Sequence, residues 1–473
     1  MSTHRSASTP VLHAWYGLVQ DLEGCCTQRR VWQRLLVLCC GMLSALGRHT
    51  LSQVIVTIGW GELDWTAWYR VLNRKRVDWE GLQHQLVAAV RGELPEGAPF
   101  AVALDATHLP RTSATMPGVG WAPQPRTPVW MRGIHRAQRW VGLNALLPRS
   151  ASGDSRALPL RWIPACSPKA QPVQGYEPMT EWEAGQQQLH WLRDTLDAQG
   201  EQERTILAVG DGAYATAQLW RTLPERTILL ARCAKNRALW AMPASQPQRG
   251  RRRLYGDRLP TPQHYRDQGT GFRQVRIMVR GRRLSLLVRV VGPVLVRPAA
   301  NRPLFLLVVK GYYPKQGGRR RREPTYLLVT AQSSAAGGWR LPLPMEELLS
   351  WAWQRWEVEV MHRELKSGFG LGQQQQWSDT GVVSAVHWVT WLYATLLLAG
   401  YQSWGYQPPG RSCLGCWWQP RRWSLATLWQ AIRQEVWQLA DFQPVWARSL
   451  DNWTEMEQWF ATLDHVLVGY RRI

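Results

Sequence analysis

Acidic residues and lysine are both scarce in this sequence. Its 473 residues include 34 Asp and Glu against 57 Lys and Arg, so the net charge is +23, and 45% of the residues are hydrophobic. This balance excludes an acidic binding protein and a disordered tail. Only six of the 57 cations are lysines. The arginine bias suits bidentate contacts to phosphate, although a GC-rich coding sequence would give the same bias. A polyanionic partner is the simplest explanation of the charge.

The sequence also lacks the pattern of a secreted disulfide framework. Four of its eight cysteines form adjacent pairs, at 25–26 and 39–40, and no signal peptide with a cleavage site opens the chain. Cys413 and Cys416 form a Cys-x-x-Cys with no second pair at zinc spacing, which argues against a structural metal there. We therefore expect a protein of the reducing cytoplasm.

One stretch has the composition of a membrane span. Residues 382–401 contain no charge, so a single-span membrane protein whose arginines contact anionic lipid is the alternative from another class. However, no basic cluster flanks the stretch, and Trp388, Trp391 and Tyr393 lie in its middle rather than at two interfaces. This pattern favours a buried core helix.

Hydrophobic periodicity divides the chain into five parts. Residues 1–92 are predicted to be helical, and residues 93–231 alternate short apolar runs with one helical stretch, which is typical of a mixed sheet. The predicted strands of this part are 100–104, 140–147, 158–163, 205–209 and 227–231, and its helix is 180–197. The remaining parts are a β-rich insertion at 232–340, a return to the α/β core at 341–410 and a helical C-terminal module at 411–473.

The insertion contains nearly all of the net charge. Residues 232–340 have 24 Lys and Arg against three acidic residues, which is 21 of the +23. Two arginine clusters lie beside glycines, one at 249–253 and one formed by Arg319, Arg320, Arg321 and Arg322. Charge runs are often only solvated surface, but this localisation favours contact with a polyanion.

The N-terminal part contains a candidate DNA-reading helix. Residues 50–58, a glycine turn at 59–61 and a segment at 64–76 have the pattern of a helix-turn-helix, whose second helix would offer Arg70, Asn73 and Arg74 to DNA. An ordinary helical hairpin with a charged end has the same pattern.

Three acidic residues are candidates for a metal site. Asp105 and Asp211 each follow an apolar run that predicts a buried strand, although either side chain alone could simply cap a turn. On the helix predicted over 351–366, a 100° advance per residue places Glu359 on one face with three basic side chains, Arg355, His362 and Lys366. Glu357 and Glu364 point to the opposite side. Exposed ion pairs four residues apart would produce the same pattern.

At these residues the sequence resembles the RNase H-like DDE transposases of bacterial insertion sequences, in the group with a Tyr-Arg-Glu-Lys signature. Arg355, Glu359 and Lys366 match that signature in type and spacing, whereas Ala352 occupies the position of its Tyr. Residues 105–107 resemble the first acidic motif of these enzymes, and residues 210–214 resemble the second.

The resemblance implies an RNase H-like α/β core with an inserted β-rich domain. It implies that Asp105, Asp211 and Glu359 hold two Mg²⁺ or Mn²⁺ ions for phosphodiester hydrolysis, that Arg355 and Lys366 grip phosphates, and that the freed 3′-OH is joined to target DNA. The expected partners are double-stranded DNA, namely the terminal inverted repeats and the target, and a second copy of the chain in the DNA complex, with no membrane. An RNase H-like nuclease and an inactive DNA-binding descendant remain alternatives.

Overall fold

A computed structural model describes residues 10–62, 64–124, 133–244, 252–311, 322–335, 337–407 and 421–437. The chain is mixed α/β, with helices at both ends of the described part around one large sheet. Arg319, Arg320 and Arg321 lie outside the described residues, as do Cys413 and Cys416 and most of the predicted C-terminal module.

Within the described residues, five α-helices precede the sheet, as the apolar spacing of residues 11–90 predicts: α1 (Val11–Val19), α2 (Arg29–Ser44), α3 (Leu51–Thr57), α4 (Thr66–Asn73) and α5 (Trp79–Gly92). The prediction for residues 64–76 is wrong at its C-terminal end, because the helix stops at Asn73 and Arg74 is already extended. The chain then forms a β-bridge between Val77 and Cys26. Eight residues separate α3 from α4, which is longer than the short turn of a helix-turn-helix.

The central strands have the connectivity of an RNase H-like sheet. Strand β1 pairs antiparallel with β3, and β3 pairs antiparallel with β2 and β4. On its other side, β1 pairs parallel with β5, which pairs parallel with β6. The elements are β1 (Phe100–Pro110), β2 (Val119–Pro123), β3 (Ile134–Leu146), β4 (Ala157–Pro164), α6 (Glu181–Ala198), β5 (Ile206–Gly210), α7 (Ala217–Arg221) and β6 (Thr227–Arg232). A capping box between Thr180 and Glu183 fixes the start of α6.

The β-rich insertion continues this sheet. Strand β12 pairs antiparallel with β6, and β11, β10 and β7 follow it, so that one 12-stranded sheet contains both parts. Its elements are β7 (Leu239–Ala241), β8 (Arg258–Leu259), α8 (Pro262–Asp267), β9 (Arg273–Val279), β10 (Arg282–Val296), β11 (Ala299–Val309) and β12 (Thr325–Thr330). A separate ribbon, β13 (Gln332–Ser333) with β14 (Trp339–Arg340), leads out of it.

The helix predicted over 351–366 begins earlier and is interrupted. It consists of α9 (Met345–Gln354), α10 (Trp356–Arg363) and a π-helical turn at Glu364–Gly368. The break falls at Arg355, which keeps α-helical dihedral angles, so the side chains that follow it still share a face.

The uncharged stretch at 382–401 lies within the core helix α11 (Asp379–Trp404), and α12 (Leu425–Trp437) packs against it. Among the helices of the described ranges, α11 is the one with the length and hydropathy of a membrane span, and 94% of its most apolar window is buried inside the protein. Its neighbours include α1, α4, α5 and β4. Core burial therefore accounts for its hydrophobic composition.

Candidate active site

The sheet register brings two of the predicted acids to the same level. Ala103 of β1 lies opposite Val209 of β5 in a parallel pair, so Asp105 and Asp211, each two residues further on, lie on adjacent chains and on the same face. The prediction that Asp105 follows the end of its strand is wrong, because β1 continues to Pro110. It continues because β3 is long enough to pair with it beyond Asp105. Asp211 directly follows β5, as predicted, and its carboxylate caps the next turn by accepting from the Ala213 N–H at 2.9 Å.

Helix α10 brings Glu359 and Arg355 to these acids. The Arg355 guanidinium lies between two carboxylates, with Nη1 3.3 Å from Asp105 Oδ2 and Nη2 3.7 Å from Glu359 Oε1. Because α10 packs against β1 and β4, packing in the core determines which side of the helix points to the sheet. The structure therefore brings Asp105, Arg355 and Glu359 together, with Asp211 at the same level of the sheet on the neighbouring chain.

Burial dominates the electrostatics of Asp105. Its side chain is 12% exposed, and burial raises the pKa of this carboxyl to about 7, while Arg355 lowers it and the charges of Glu359 and Asp211 raise it further. The single guanidinium does not fully compensate the desolvated carboxylate. A bound cation would do so.

The opposite side of α10 anchors the helix. Glu357 is 1% exposed and accepts hydrogen bonds from Arg280 at 2.7 Å and Arg422 at 3.2 Å. Glu364 accepts from Arg156 at 3.2 Å and from the Tyr393 hydroxyl at 2.6 Å. These two carboxylates have buried structural partners and face away from the Asp105 side, as the helical arithmetic indicates.

His362 and Lys366, which share the helix face of Arg355 and Glu359, also lie beside the acids. His362 Nδ1 is 4.0 Å from Asp105 Oδ2. Lys366 is close enough that its charge lowers the pKa of His362, after the larger effect of burial. Burial lowers the pKa of His108 on β1 to about 4, and the charge of Lys366 contributes a smaller effect in the same direction. At the signature Tyr position, Ala352 is half-buried.

Three side chains near the acids, Tyr214, Glu181 and Arg139, have no role that the sequence predicts. Tyr214 is fully buried, and its hydroxyl has no hydrogen-bond partner among the described residues. Burial and then the charges of Asp105 and Glu181 raise its pKa. Glu181 lies 3.5 Å from Arg139, and burial followed by the charge of Asp211 raises its pKa against the effect of Arg139. The position of Tyr214 within the second acidic motif is the sequence feature that could have identified it. For Glu181 the sequence indicates only the start of a helix.

The donor set suits a divalent cation. Asp105, Glu359 and His362 each offer one ligand atom, and these atoms lie within 4.8 Å of one another. Carboxylate oxygens are the ligands that Mg²⁺ and Mn²⁺ prefer, and an imidazole is compatible with Mn²⁺. Asp105 and Glu359 of this set are among the acids that the sequence resemblance assigns to the metal, and the uncompensated carboxylate of Asp105 fits a bound cation, whereas Asp211 does not belong to the set.

The described residues among the other predicted DNA contacts lie on two other surfaces. Arg70 and Arg74 are exposed at the end of α4, whereas Asn73 is half-buried and accepts a hydrogen bond from the Ser378 hydroxyl at 3.2 Å. Arg322 donates to the Lys310 carbonyl at 3.3 Å in the insertion. The structure does not bring either group to the acidic centre.

Comparison with known proteins assigns a family. Residues 21–271 match the family described as DDE superfamily endonuclease, and this range includes Asp105 and Asp211. A cryo-EM structure of a piggyBac transposase synaptic complex with hairpin DNA aligns with 98% of this chain and 87% of its own, at a TM-score of 0.42 and 10% identity. No curated protein matches the chain in sequence. Because the family match spans more than half of the residues, the chain belongs to the DDE superfamily endonucleases.

Proposed function

We propose that this protein is the transposase of a bacterial insertion sequence, of the group with the Tyr-Arg-Glu-Lys signature. It cuts at the ends of its element and joins the freed 3′-OH groups to target DNA. Its partners are the terminal inverted repeats, the target duplex and a second copy of the chain, and it works in the bacterial cytoplasm on the nucleoid.

The observation that carries the proposal is the convergence of three acids that lie far apart in the sequence. Asp105 and Asp211 share a level of the sheet through the parallel register of β1 and β5, and Arg355 lies between Asp105 and Glu359. Three carboxylates beside basic side chains, with Asp105 only 12% exposed, suit cleavage of a phosphodiester with divalent ions.

Each residue of the centre has a distinct task in this reaction. Asp105, Asp211 and Glu359 would hold two Mg²⁺ or Mn²⁺ ions, which when bound supply a more acidic attacking water and charge neutralisation at the leaving oxygen. Arg355 and Lys366 grip the phosphate oxygens beside the scissile bond. Joining to target DNA exchanges one phosphodiester for another, so the chain must supply position and charge rather than an energy source.

Nicking of DNA that contains the element ends tests this proposal. The full chain, incubated with a supercoiled plasmid containing both ends and with MgCl₂ or MnCl₂, should produce nicked plasmid, and EDTA should prevent it. A plasmid with scrambled ends is the control. Equal nicking of both plasmids would favour a non-specific nuclease, and no nicking with either metal, despite DNA binding, would favour an inactive descendant.

The arginine cluster of the insertion should contribute affinity without sequence preference. Replacing Arg319, Arg320 and Arg321 together by Ala should weaken binding to any duplex and reduce the slope of log K against log salt by up to about 0.9 for each lost phosphate contact. Arg322 is kept because it donates to the Lys310 carbonyl. The matched control replaces the same three residues by Lys. An unchanged slope in the Ala variant would show that the cluster does not contact the backbone.

Preference for the element ends should depend on α4. In the full chain, Arg70→Ala and Arg74→Ala should each reduce the preference for terminal over scrambled DNA by about 1–3 kcal/mol per lost base contact. The full chain is required because α1 is tied to the C-terminal helices, with Trp15 Nε1 donating to Thr395 at 3.0 Å. Arg30→Ala, an exposed arginine at the start of α2, is the control. If both variants bind with unchanged preference, another surface reads the sequence.

A further inference from the structure

We propose that His362 is an additional ligand of the metal centre, with its Nδ1 atom coordinating a divalent ion shared with Asp105 and Glu359. This inference rests on the proposed function, which assigns the metal to the three carboxylates alone. Its starting point is geometric: Nδ1 lies 4.0 Å from Asp105 Oδ2, and the ligand atoms of all three residues lie within 4.8 Å of one another.

The separation of His362 from Asp105 argues against a direct interaction between them. At 4.0 Å, Nδ1 is too far from the carboxylate oxygen for a hydrogen bond. Two donors on opposite sides of an ion with bonds of about 2.1 Å lie about 4.2 Å apart. The gap between His362 and Asp105 is therefore the size of a cation rather than of a hydrogen bond.

A row of residues across three strands holds the imidazole in this place. Asp105 pairs with Gly142 of β3, and Gly142 pairs with Trp162 of β4. The Trp162 indole lies over Gly142, where a Cβ would come within 2.5 Å of its Nε1, and this Nε1 donates to Asn144 Oδ1 at 3.0 Å. The His362 ring stands perpendicular to that indole, with the ring centroids 5.4 Å apart. Gly142 thus leaves the space in which Trp162 can support His362.

The surroundings keep His362 neutral, as a metal ligand must be. Its side chain is 10% exposed, and burial disfavours a charged imidazolium. Nε2 is buried without a hydrogen-bond partner among the described residues. A proton on Nε2 would leave the lone pair of Nδ1 free for an ion beside Asp105, whose Oδ2 is 4.0 Å away.

A nitrogen ligand changes the expected metal preference. Mg²⁺ takes oxygen ligands almost exclusively, whereas Mn²⁺ accepts imidazole more readily. A centre formed by two carboxylates and His362 should therefore favour Mn²⁺ over Mg²⁺ more strongly than a centre with carboxylates alone.

Pulsed electron paramagnetic resonance of the Mn²⁺-loaded full chain tests the assignment directly. The wild-type spectrum should contain the modulation of a directly coordinated ¹⁴N nucleus. His362→Gln should lose that modulation and bind Mn²⁺ at least about tenfold more weakly, with less change for Mg²⁺. His190→Gln, which removes an exposed imidazole from α6, should retain the wild-type spectrum and affinity. Thermal unfolding confirms that each variant is folded.

The outcomes separate this inference from the proposed function. If the wild type binds Mn²⁺ and Asp105→Asn does not, but no ¹⁴N modulation is present or His362→Gln retains it, His362 is a packed core histidine and the carboxylate centre stands. If Asp105→Asn binds Mn²⁺ as well as the wild type does, the metal centre itself is wrong and both proposals fail.

Discussion

Replacing Asp105, Asp211 or Glu359 by its amide should lower the rate of metal-dependent nicking at the element ends by about a thousandfold or more. The amides preserve shape but remove the charge that holds a cation, and a metal supplies several kcal/mol of transition-state stabilisation. A loss of about 4 kcal/mol corresponds to about a thousandfold in rate. The measurement is a single-turnover nicking assay on DNA with the element ends.

A matched control for these variants is available on the same helical segment. Glu346 is exposed in the first turn of α9, so Glu346→Gln should nick at the wild-type rate. Asp105→Asn should also unfold at or above the wild-type temperature, because it removes a carboxylate that is only 12% exposed and so relieves repulsion among the three acids. A Glu359→Gln variant that nicks at the wild-type rate would contradict the assignment of that residue.

The second large effect is on stability and concerns Glu357. Its carboxylate is 1% exposed and joins helix α10 to Arg280 of the insertion and Arg422 near the C-terminal helix. Glu357→Gln should lower the free energy of unfolding by about 3 kcal/mol, because it leaves two arginines without their buried counter-charge. Urea unfolding of the full chain measures this change.

Glu346→Gln also removes one negative charge, but from an exposed position. Comparing its free energy of unfolding with that of Glu357→Gln therefore isolates the effect of burial. The exposed substitution should change the free energy of unfolding by less than about 0.5 kcal/mol. Below its unfolding temperature, Glu357→Gln should still bind metal, since Glu357 lies on the face of α10 away from Asp105. A change of less than about 1 kcal/mol in Glu357→Gln would show that the three-way ion pair does not anchor the helix.

The sequence predicts the elements of the fold better than their ends. Apolar runs located α6 and five of the six central strands, all but β2 (Val119–Pro123), because buried parallel and mixed strands have continuous apolar runs. The runs do not indicate where pairing stops. Asp105 interrupts the apolar run of β1, yet the strand continues to Pro110, because β3 extends far enough to pair with it.

The residues of the candidate centre that share one helix were predictable from the sequence. The residues that strand pairing brings together were not. Helical periodicity placed Arg355, Glu359 and His362 on one face. Nothing in the spacing shows that Gly142 and Trp162 form a row with Asp105, because strand register depends on pairing across long loops. For the same reason the pairing of Glu181 with Arg139, which come from different elements, was not recognisable in the sequence.

The insertion shows a similar limit. Its composition predicts strands and locates the positive charge, and both follow from local sequence. That β12 pairs with β6 and extends the central sheet depends on contacts about a hundred residues apart. Local patterns contain no information about such pairing, so a separate β-rich unit and a continuous sheet look alike in the sequence.

The most direct test of the transposase assignment is a strand-transfer assay with a labelled DNA of precut element end and an unlabelled target plasmid. The wild-type chain with Mg²⁺ or Mn²⁺ should join the labelled 3′-OH to the plasmid, in preference to a DNA of scrambled sequence, and Glu359→Gln should form no joint product. A wild-type chain that nicks end DNA but never joins it to the target would contradict the account, because the protein would then be a nuclease and not a transposase.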